Sequence, residues 1–379
     1  MQSKPENIKI LFILSALHRD GAVLSTLTTL KHVDKSRFTP QLFVIKQAKH
    51  NEDENSWSNL IEGIEVIYGL NEGEKLLSNF PKLLGKLYNL AKQSDILIGG
   101  LEMTPTFLAA ITGKLTGRPS IGFVRNSLPD LLKSLPFYFK FLTKSIYPLL
   151  TGCISISNGI KKGTERLMPR LKGRISTVYI PIDIDQIKQL SEKQLPEAEK
   201  LRPYILAVGR LMPQKGFDIL IHAYSLALKK GLRQALVIVG EGKERSALEN
   251  LITELGLTGK VILAGFHGNP YSWMKNAEIF VSSSRFEGFC RVLAEAQAVG
   301  TPVVSTDCPD GPSEVLQNGR SGILVLNESA EALATGMLQL IGDSELKETF
   351  RTRGAERVEE FRLRTTIAAF ENILTGMTR

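Results

Sequence analysis

The sequence predicts an α/β protein built from two doubly wound parallel-sheet domains in tandem. Three observations carry this. Short apolar β-runs alternate with segments of helical period along almost the whole chain. The runs are near-continuously apolar rather than alternating, the pattern of strands buried on both faces of a parallel sheet. A polar stretch holding Pro196 divides the runs into two series. At 379 residues the chain has room for two cores.

The first series is IKILFIL (8–14), QLFVI (41–45), IEVIYG (64–69), DILIG (95–99), SIGFV (120–124), CISIS (153–157) and ISTVYI (175–180). The second is PYILAVG (203–209), ALVIVG (235–240), KVILAG (260–265), EIFVSS (278–283), PVVST (302–306) and GILVL (322–326). We therefore expect an N-terminal domain over 1–183, a linker over 184–202 and a C-terminal domain over 203–354. A final helix over 355–379 is expected to pack back across the hinge. Ligands of such sheets bind beyond the C-terminal strand ends, here in a cleft between the domains.

Composition excludes several classes. No run reaches eighteen apolar residues, so no spanning helix is expected. The opening apolar run is too short for a signal peptide and lacks a small-residue cleavage site. Cys153, Cys290 and Cys308 are odd in number and widely spaced, which fits a reducing cytosol rather than a disulfide framework. The five histidines are scattered and nothing has metal-ligand spacing.

The net charge of +8 is concentrated. Residues 130–174 carry nine basic side chains against Asp130 and Glu165. Within them, LLKSLPFYFKFLTKSIYPLL interleaves lysine with aromatic and aliphatic residues. Such a surface can dock on anionic lipid, or be a solvated helix whose lysine stems cover apolar neighbours. No nucleic-acid module accompanies the charge.

Two motifs carry the chemistry. AVGRLMPQKG leaves a strand with Gly209 for close backbone approach, then Arg210 and Lys215, which can clamp a diphosphate as a planar fork and a point charge. The bland alternative is a pair of solvated loop charges. The block FVSSSRFEGFCRVLAEAQAVG carries Glu287 and Glu295 at the start of a helix expected over 289–299. If helical throughout, the two carboxylates are roughly 12 Å apart along the axis. The helix start after Gly288 offers free amides to an anion at Phe289, Cys290 and Arg291. Small apolar neighbours around Glu295 argue for a partly buried carboxylate with a task. A glycosidase also needs two carboxylates, but has no use for Arg210, Lys215 and an anion-binding helix start.

Between these motifs, the Gly265-Phe266 turn can cradle a base, or simply pack. Gly240-Glu241-Gly242 lacks a third glycine and places an acid where a pyrophosphate would lie, which lowers a dinucleotide reading.

Together these motifs resemble glycosyltransferase family 4, of GT-B fold: two Rossmann-like domains facing across a cleft. The resemblance covers nearly the whole chain and is strongest over 204–326. It rests on Gly209, Arg210, Lys215 and Gly216 for the diphosphate and on Glu287 and Glu295, seven residues between, for donor sugar and ribose. The resemblance implies a retaining, metal-independent hexosyltransferase with no cofactor, whose substrate is a nucleotide-sugar, UDP-linked in many members. It implies a glycan or lipid-linked acceptor held by the N-terminal domain. DCPDGPSEVL resembles members that build bacterial surface glycans such as lipopolysaccharide, working in the cytoplasm or peripherally on the inner membrane face.

The chain also departs from that pattern. The N-terminal glycine-rich loop is reduced to Asp20-Gly21, leaving Gly21 for phosphate contact. Arg125-Asn126 stands where many members have His-Asn, so these two are candidate contacts to acceptor, sugar or phosphate. Arg291 is expected to reach the donor, or to lie on the helix surface. Two rivals follow: a UDP-sugar 2-epimerase of the same fold, and a non-catalytic glycosyltransferase-like binding subunit.

Overall fold

The computed structural model describes residues 7–17, 21–47 and 58–377. Two compact units emerge. One joins residues 1–181 to 364–379, and the other runs from Ile182 to Leu363.

The first unit holds β1 (Ile8–Leu14), β2 (Phe38–Lys46), β3 (Glu65–Leu70), β4 (Ile96–Gly99), β5 (Ser120–Val124), β6 (Gly152–Ser155) and β7 (Ile175–Thr177). Their order is β3-β2-β1-β4-β5-β6-β7, and every pairing is parallel. The second unit holds β8 (Tyr204–Val208), β9 (Ala235–Val239), β10 (Val261–Gly265), β11 (Ile279–Ser282), β12 (Val303–Thr306) and β13 (Ile323–Val325). Their order is β10-β9-β8-β11-β12-β13, again parallel throughout. Each of the thirteen expected runs is a strand. Central strands such as β5 and β11 are buried along their whole length, which is why their sequences are apolar at successive positions.

Both orders reverse beside the first strand of the sheet: between β1 and β4, and between β8 and β11. Loops leaving adjacent strands at such a point diverge to opposite faces and leave a crevice at the carboxyl ends.

Two boundaries differ from expectation. The stretch 184–202 is folded: Ile184–Ser191 and Pro196–Lys200 are helices of the second unit. Ile184 and Ile187 supply a buried stripe among the charges. Asp183 caps the first helix, its Oδ1 accepting from the Gln186 amide at 3.0 Å. The tail is two helices, not one: Ser344–Val358 and Leu363–Met377, joined through a 3₁₀ turn at Glu359–Phe361. The break falls where the chain pairs with Ile182. The Ile182 amide donates to Phe361 O, and the Leu363 amide to Ile182 O, each at 2.9 Å. Arg362 there pairs with Asp185 and Glu359, both at 2.6 Å. Residues 364–379 then belong to the first unit, where Phe370 sits 6.1 Å from the Phe12 ring and 6.0 Å from that of Phe123.

Candidate active site

The crevice of the second unit is built from the turns after β8 and β11. After β8 the chain passes Gly209 and Arg210, makes a 3₁₀ turn at Pro213–Lys215 and enters the Phe217–Lys229 helix through Gly216. Gly216 has φ +59, and a Cβ there would lie 2.2 Å from Ser283 O. Only glycine fits both demands. The Lys215 stem runs across Gly209, at 3.4 Å from where a Cβ would stand.

The turn after β11 is stitched to the first. Ser283 Oγ donates to Lys215 O at 2.9 Å. The Arg285 amide donates to Gln214 O at 2.8 Å, and Gln214 Nε2 to Phe286 O at 3.0 Å. The Arg285 guanidinium forks onto both Asp218 oxygens, at 3.0 and 2.7 Å. Two loops remote in sequence thus form one rigid corner.

At that corner Lys215 Nζ lies 2.6 Å from Glu287 Oε1, and Ser284 Oγ donates to the same oxygen at 2.7 Å. The Lys215 and Glu287 side chains are 18% and 10% exposed. Burial alone would lower the Lys215 pKa; the Glu287 carboxylate outweighs it and holds the ammonium above its ordinary value. Arg210 stands beside them, exposed, with no side-chain partner among the described residues.

Glu287 is not on the helix. It forms an isolated parallel bridge with Asp310, and the helix begins only at Arg291 and ends at Ala298. Axial helical spacing therefore does not describe the Glu287–Glu295 pair. Cys290 caps the helix at φ +61, a left-handed conformation that turns the chain sharply. Gly311 makes room for this: a Cβ there would meet the Phe289 backbone at 2.7 to 2.9 Å. The Phe289 ring is buried edge-on against Phe361, with centroids 5.0 Å apart. The Cys290 thiol is buried 3.6 Å from Ser282 Oγ, and burial pushes its pKa up to about 12. At positions 289 and 290, expected to meet a donor, only the backbone remains for that task.

Glu295 is 6% exposed. Arg291 Nε donates to its Oε1 at 2.7 Å and the Tyr271 hydroxyl to the same atom at 3.3 Å. Its other oxygen takes no hydrogen bond from the described residues. Arg291, expected to reach a donor, is thus tied by Nε to Glu295. The pair sits one helical turn apart, the i,i+4 spacing at which side chains meet.

The Gly240–Gly242 turn has a packing role. A Cβ at Gly240 would lie 1.8 Å from Gly209 O, and one at Gly242 would lie 2.3 Å from Leu211 O. These glycines let the turn after β9 press against the turn after β8. Nearby, Gly265 has φ +80 and the Phe266 ring is 63% exposed.

In the first unit, Gly21 opens the Gly21–His32 helix after β1. Asp20 lies outside the described residues. Arg125, read from sequence as a substrate contact, is buried. Its guanidinium donates to Ser25 Oγ and Thr26 Oγ1, both at 2.7 Å, and to Gly100 O at 3.1 Å. It also stacks 4.6 Å over the Phe123 ring. These partners hold it inside the unit, tying the first helix to the ends of β4 and β5. Asn126 is exposed, and its amide donates to Glu102 Oε1 at 2.7 Å.

Sequence reasoning missed Ser284, Tyr271, Glu102 and Asp310. A serine three residues before the candidate carboxylate Glu287 was the one available signal, and the Ser-rich turn after β11 contained it. Tyr271 lies 24 residues from Glu295 and no local pattern links them.

The family described as Glycosyl transferases group 1 matches residues 188–357. An uncharacterized glycosyltransferase of Methanocaldococcus jannaschii is 30% identical over 360 residues, covering 82% of this chain and 88% of the relative. The Campylobacter jejuni N-acetylgalactosamine-N,N'-diacetylbacillosaminyl-diphospho-undecaprenol 4-alpha-N-acetylgalactosaminyltransferase is 32% identical over 243 residues. That match covers 64% of this chain and 63% of the Campylobacter enzyme's length. In fold, the crystal structure of Anabaena Alr3699/HepE in complex with UDP superposes with a TM-score of 0.83 at 20% identity, covering 97% of this chain and all of the other. With two doubly wound parallel sheets and a glycosyltransferase relative matched over nearly its whole length, the chain belongs to the group 1 glycosyl transferases, of GT-B fold.

Proposed function

We propose that the protein is a retaining, metal-independent hexosyltransferase. It moves a hexose or N-acetylhexosamine from a UDP-sugar to a glycan or lipid-linked acceptor in bacterial surface-glycan synthesis. The observation that carries this is the Lys215–Glu287 contact at the switch point of the second sheet, with exposed Arg210, which has no side-chain partner among the described residues, beside it. The Anabaena structure holding UDP supports the nucleotide. The Campylobacter relative, named for a diphospho-undecaprenol-linked acceptor and an α-linkage, supports acceptor class and retention.

In this reading the donor diphosphate takes Lys215 as its counter-ion, joined by Arg210 and the amides at Cys290 and Arg291. These groups stabilise the charge that grows on the leaving group. Glu287, released from Lys215, accepts hydrogen bonds from sugar hydroxyls. Glu295 presents its unbonded oxygen to the ribose diol. Phe266 and the bare backbone at Gly265 meet the base, and Gly209, Gly288 and Gly21 let backbone approach the phosphates. The C1–O bond to the β-phosphate breaks, and the acceptor oxygen bonds C1 on the same face. The acceptor proton passes to the departing phosphate oxygen, so no protein base is spent. The acceptor is taken by the first unit near Asn126. The basic segment 130–174 turns that unit toward an anionic inner membrane face from the cytoplasm.

A thermal-shift panel of nucleotide-sugars tests donor choice, since a ligand that binds the native state stabilises it by mass action. A UDP-sugar should raise the melting temperature, and transfer should persist in EDTA with the product anomer matching the donor. No shift with any UDP-sugar, or an inverted anomer, refutes the reading. Interconversion of free UDP-sugars without transfer would favour the epimerase.

A further inference from the structure

Glu295 is held from one side only. It lies on the Arg291–Ala298 helix among Leu293, Ala294 and Ala296, all fully buried. Its Oε1 takes both donors that reach the carboxylate, Arg291 Nε at 2.7 Å and the Tyr271 hydroxyl at 3.3 Å. Its Oε2 takes none from the described residues. Nor is Oε2 among the buried side-chain atoms left without a partner, so that oxygen reaches solvent. An ionised carboxylate only accepts, with about two lone-pair sites on each oxygen. Arg291 and Tyr271 fill the sites on Oε1. Those on Oε2 remain for a ligand that brings two donors. A phosphate brings none at neutral pH; a cis-diol brings two.

The tyrosine is itself fixed. Burial, then the Glu295 charge, pushes the Tyr271 pKa up, so the hydroxyl keeps its proton and stays a donor. The Tyr271 amide donates to Asn269 Oδ1 at 3.2 Å, and Asn269 Nδ2 to Leu190 O at 2.9 Å. Ser272 Oγ donates to Lys193 O at 2.8 Å. The short Tyr271–Asn276 helix is thereby pinned to the Ile184–Ser191 helix and the residues just after it.

We propose that Tyr271 and Arg291 are positioning residues that make the donor site selective for ribose over 2′-deoxyribose. By occupying Oε1 they aim Oε2 at the 2′- and 3′-hydroxyls of a ribonucleoside diphosphate. A deoxyribose brings one donor fewer and leaves part of a largely buried carboxylate unmatched. Sugar donors built on deoxythymidine diphosphate are rejected on this ground, whatever hexose they carry. The proposal rests on the ribose role given to Glu295 under the proposed function. It goes past that role by assigning selectivity to two further residues and by naming the class of donor refused. The competing account is that the three side chains only tie the loop after β10 to the helix, which would serve every nucleotide alike.

Isothermal titration of the full chain with UDP, GDP and their 2′-deoxy forms separates the two accounts. In the wild type the ribose form should bind at least about tenfold more tightly than its deoxy form. Tyr271→Phe keeps the ring and Arg291→Lys keeps the charge, so neither strands Glu295 without a cation. Each should weaken the ribose form several-fold, leave the deoxy form within about twofold and cut the ratio to about threefold. The double variant should bring the ratio close to one. The proposal is overturned if the wild type binds ribose and deoxyribose forms alike. It is overturned too if the double variant weakens both equally and keeps the wild-type ratio. A ribose preference seen with GDP and not with UDP would refute the UDP assignment and leave this one standing, whereas a chain that binds no ribonucleoside diphosphate would overturn both.

Discussion

Breaking the contact between Lys215 and Glu287 from one side should cost far more than removing both charges. The Lys215 ammonium meets a carboxylate oxygen at 2.6 Å, and the two side chains are 18% and 10% exposed. Removing one member of a buried pair strands the other, at about 3–5 kcal/mol. Residual exposure and the Ser284 hydrogen bond to Glu287 put Lys215→Met near the lower figure, about 3 kcal/mol. For a unit of this size that is a fall of about 6–12 °C in melting temperature. Lys215→Met combined with Glu287→Gln should recover about half, because the glutamine amide still accepts from Ser284 and carries no charge. Urea titrations of the four proteins give the coupling energy directly. The same panel is then repeated with saturating UDP, which should stabilise the wild type and leave Lys215→Met unmoved. A coupling energy below about 0.5 kcal/mol would refute the buried-pair argument, and a Lys215→Met protein stabilised by UDP like the wild type would refute the phosphate assignment.

Gly216→Ala combines a left-handed backbone with a Cβ 2.2 Å from Ser283 O. It should lose about 2 kcal/mol or more by urea titration, and unchanged stability would mean the corner can open. Tyr271→Phe removes one of two donors to Glu295 Oε1. It should raise KM for the UDP-sugar several-fold with kcat little changed; an equal fall in kcat and kcat/KM, with KM unchanged, would place Tyr271 in the transition state instead. Burial pushes the Asp218 carboxyl up, but the Arg285 fork outweighs it and the group sits below its ordinary value of 3.8. Its contribution is therefore present above that value and fades as pH falls through the lower folded pKa. Asp218→Asn should flatten the loss of melting temperature below about pH 4, and an unchanged acid slope would refute this.

The strands were legible because both sheets are parallel and buried on two faces, which leaves apolar runs without alternation. Gly209, Lys215 and Glu287 were legible as a group because the strand-end positions they occupy converge in any doubly wound sheet. What sequence does not encode locally is which partner each charge takes. Arg125 read as a hand held out to a ligand and is buried, and Arg291, which read either as a donor contact or as a surface residue, is half-buried and paired. The hydroxyls of Ser25 and Thr26 claim one, and Glu295 the other. The helix was expected from residue 289, directly after Glu287, because Gly288 and the following apolar period look like a helix start. The left-handed Cys290, bridged segment and Gly311 that delay the helix to Arg291 depend on a loop about twenty residues later. The linker misled for a similar reason: its few apolar positions, Ile184 and Ile187, are the ones that dock.

The break at Phe361 to Leu363 has a consequence for biosynthesis. The second unit is one continuous stretch, finished once Leu363 has left the ribosome. The first is not, because Phe370 packs on Phe12 and Phe123 from the far end of the chain. Its core stays open through the synthesis of the whole intervening unit. Although translated first, it is the later of the two to close.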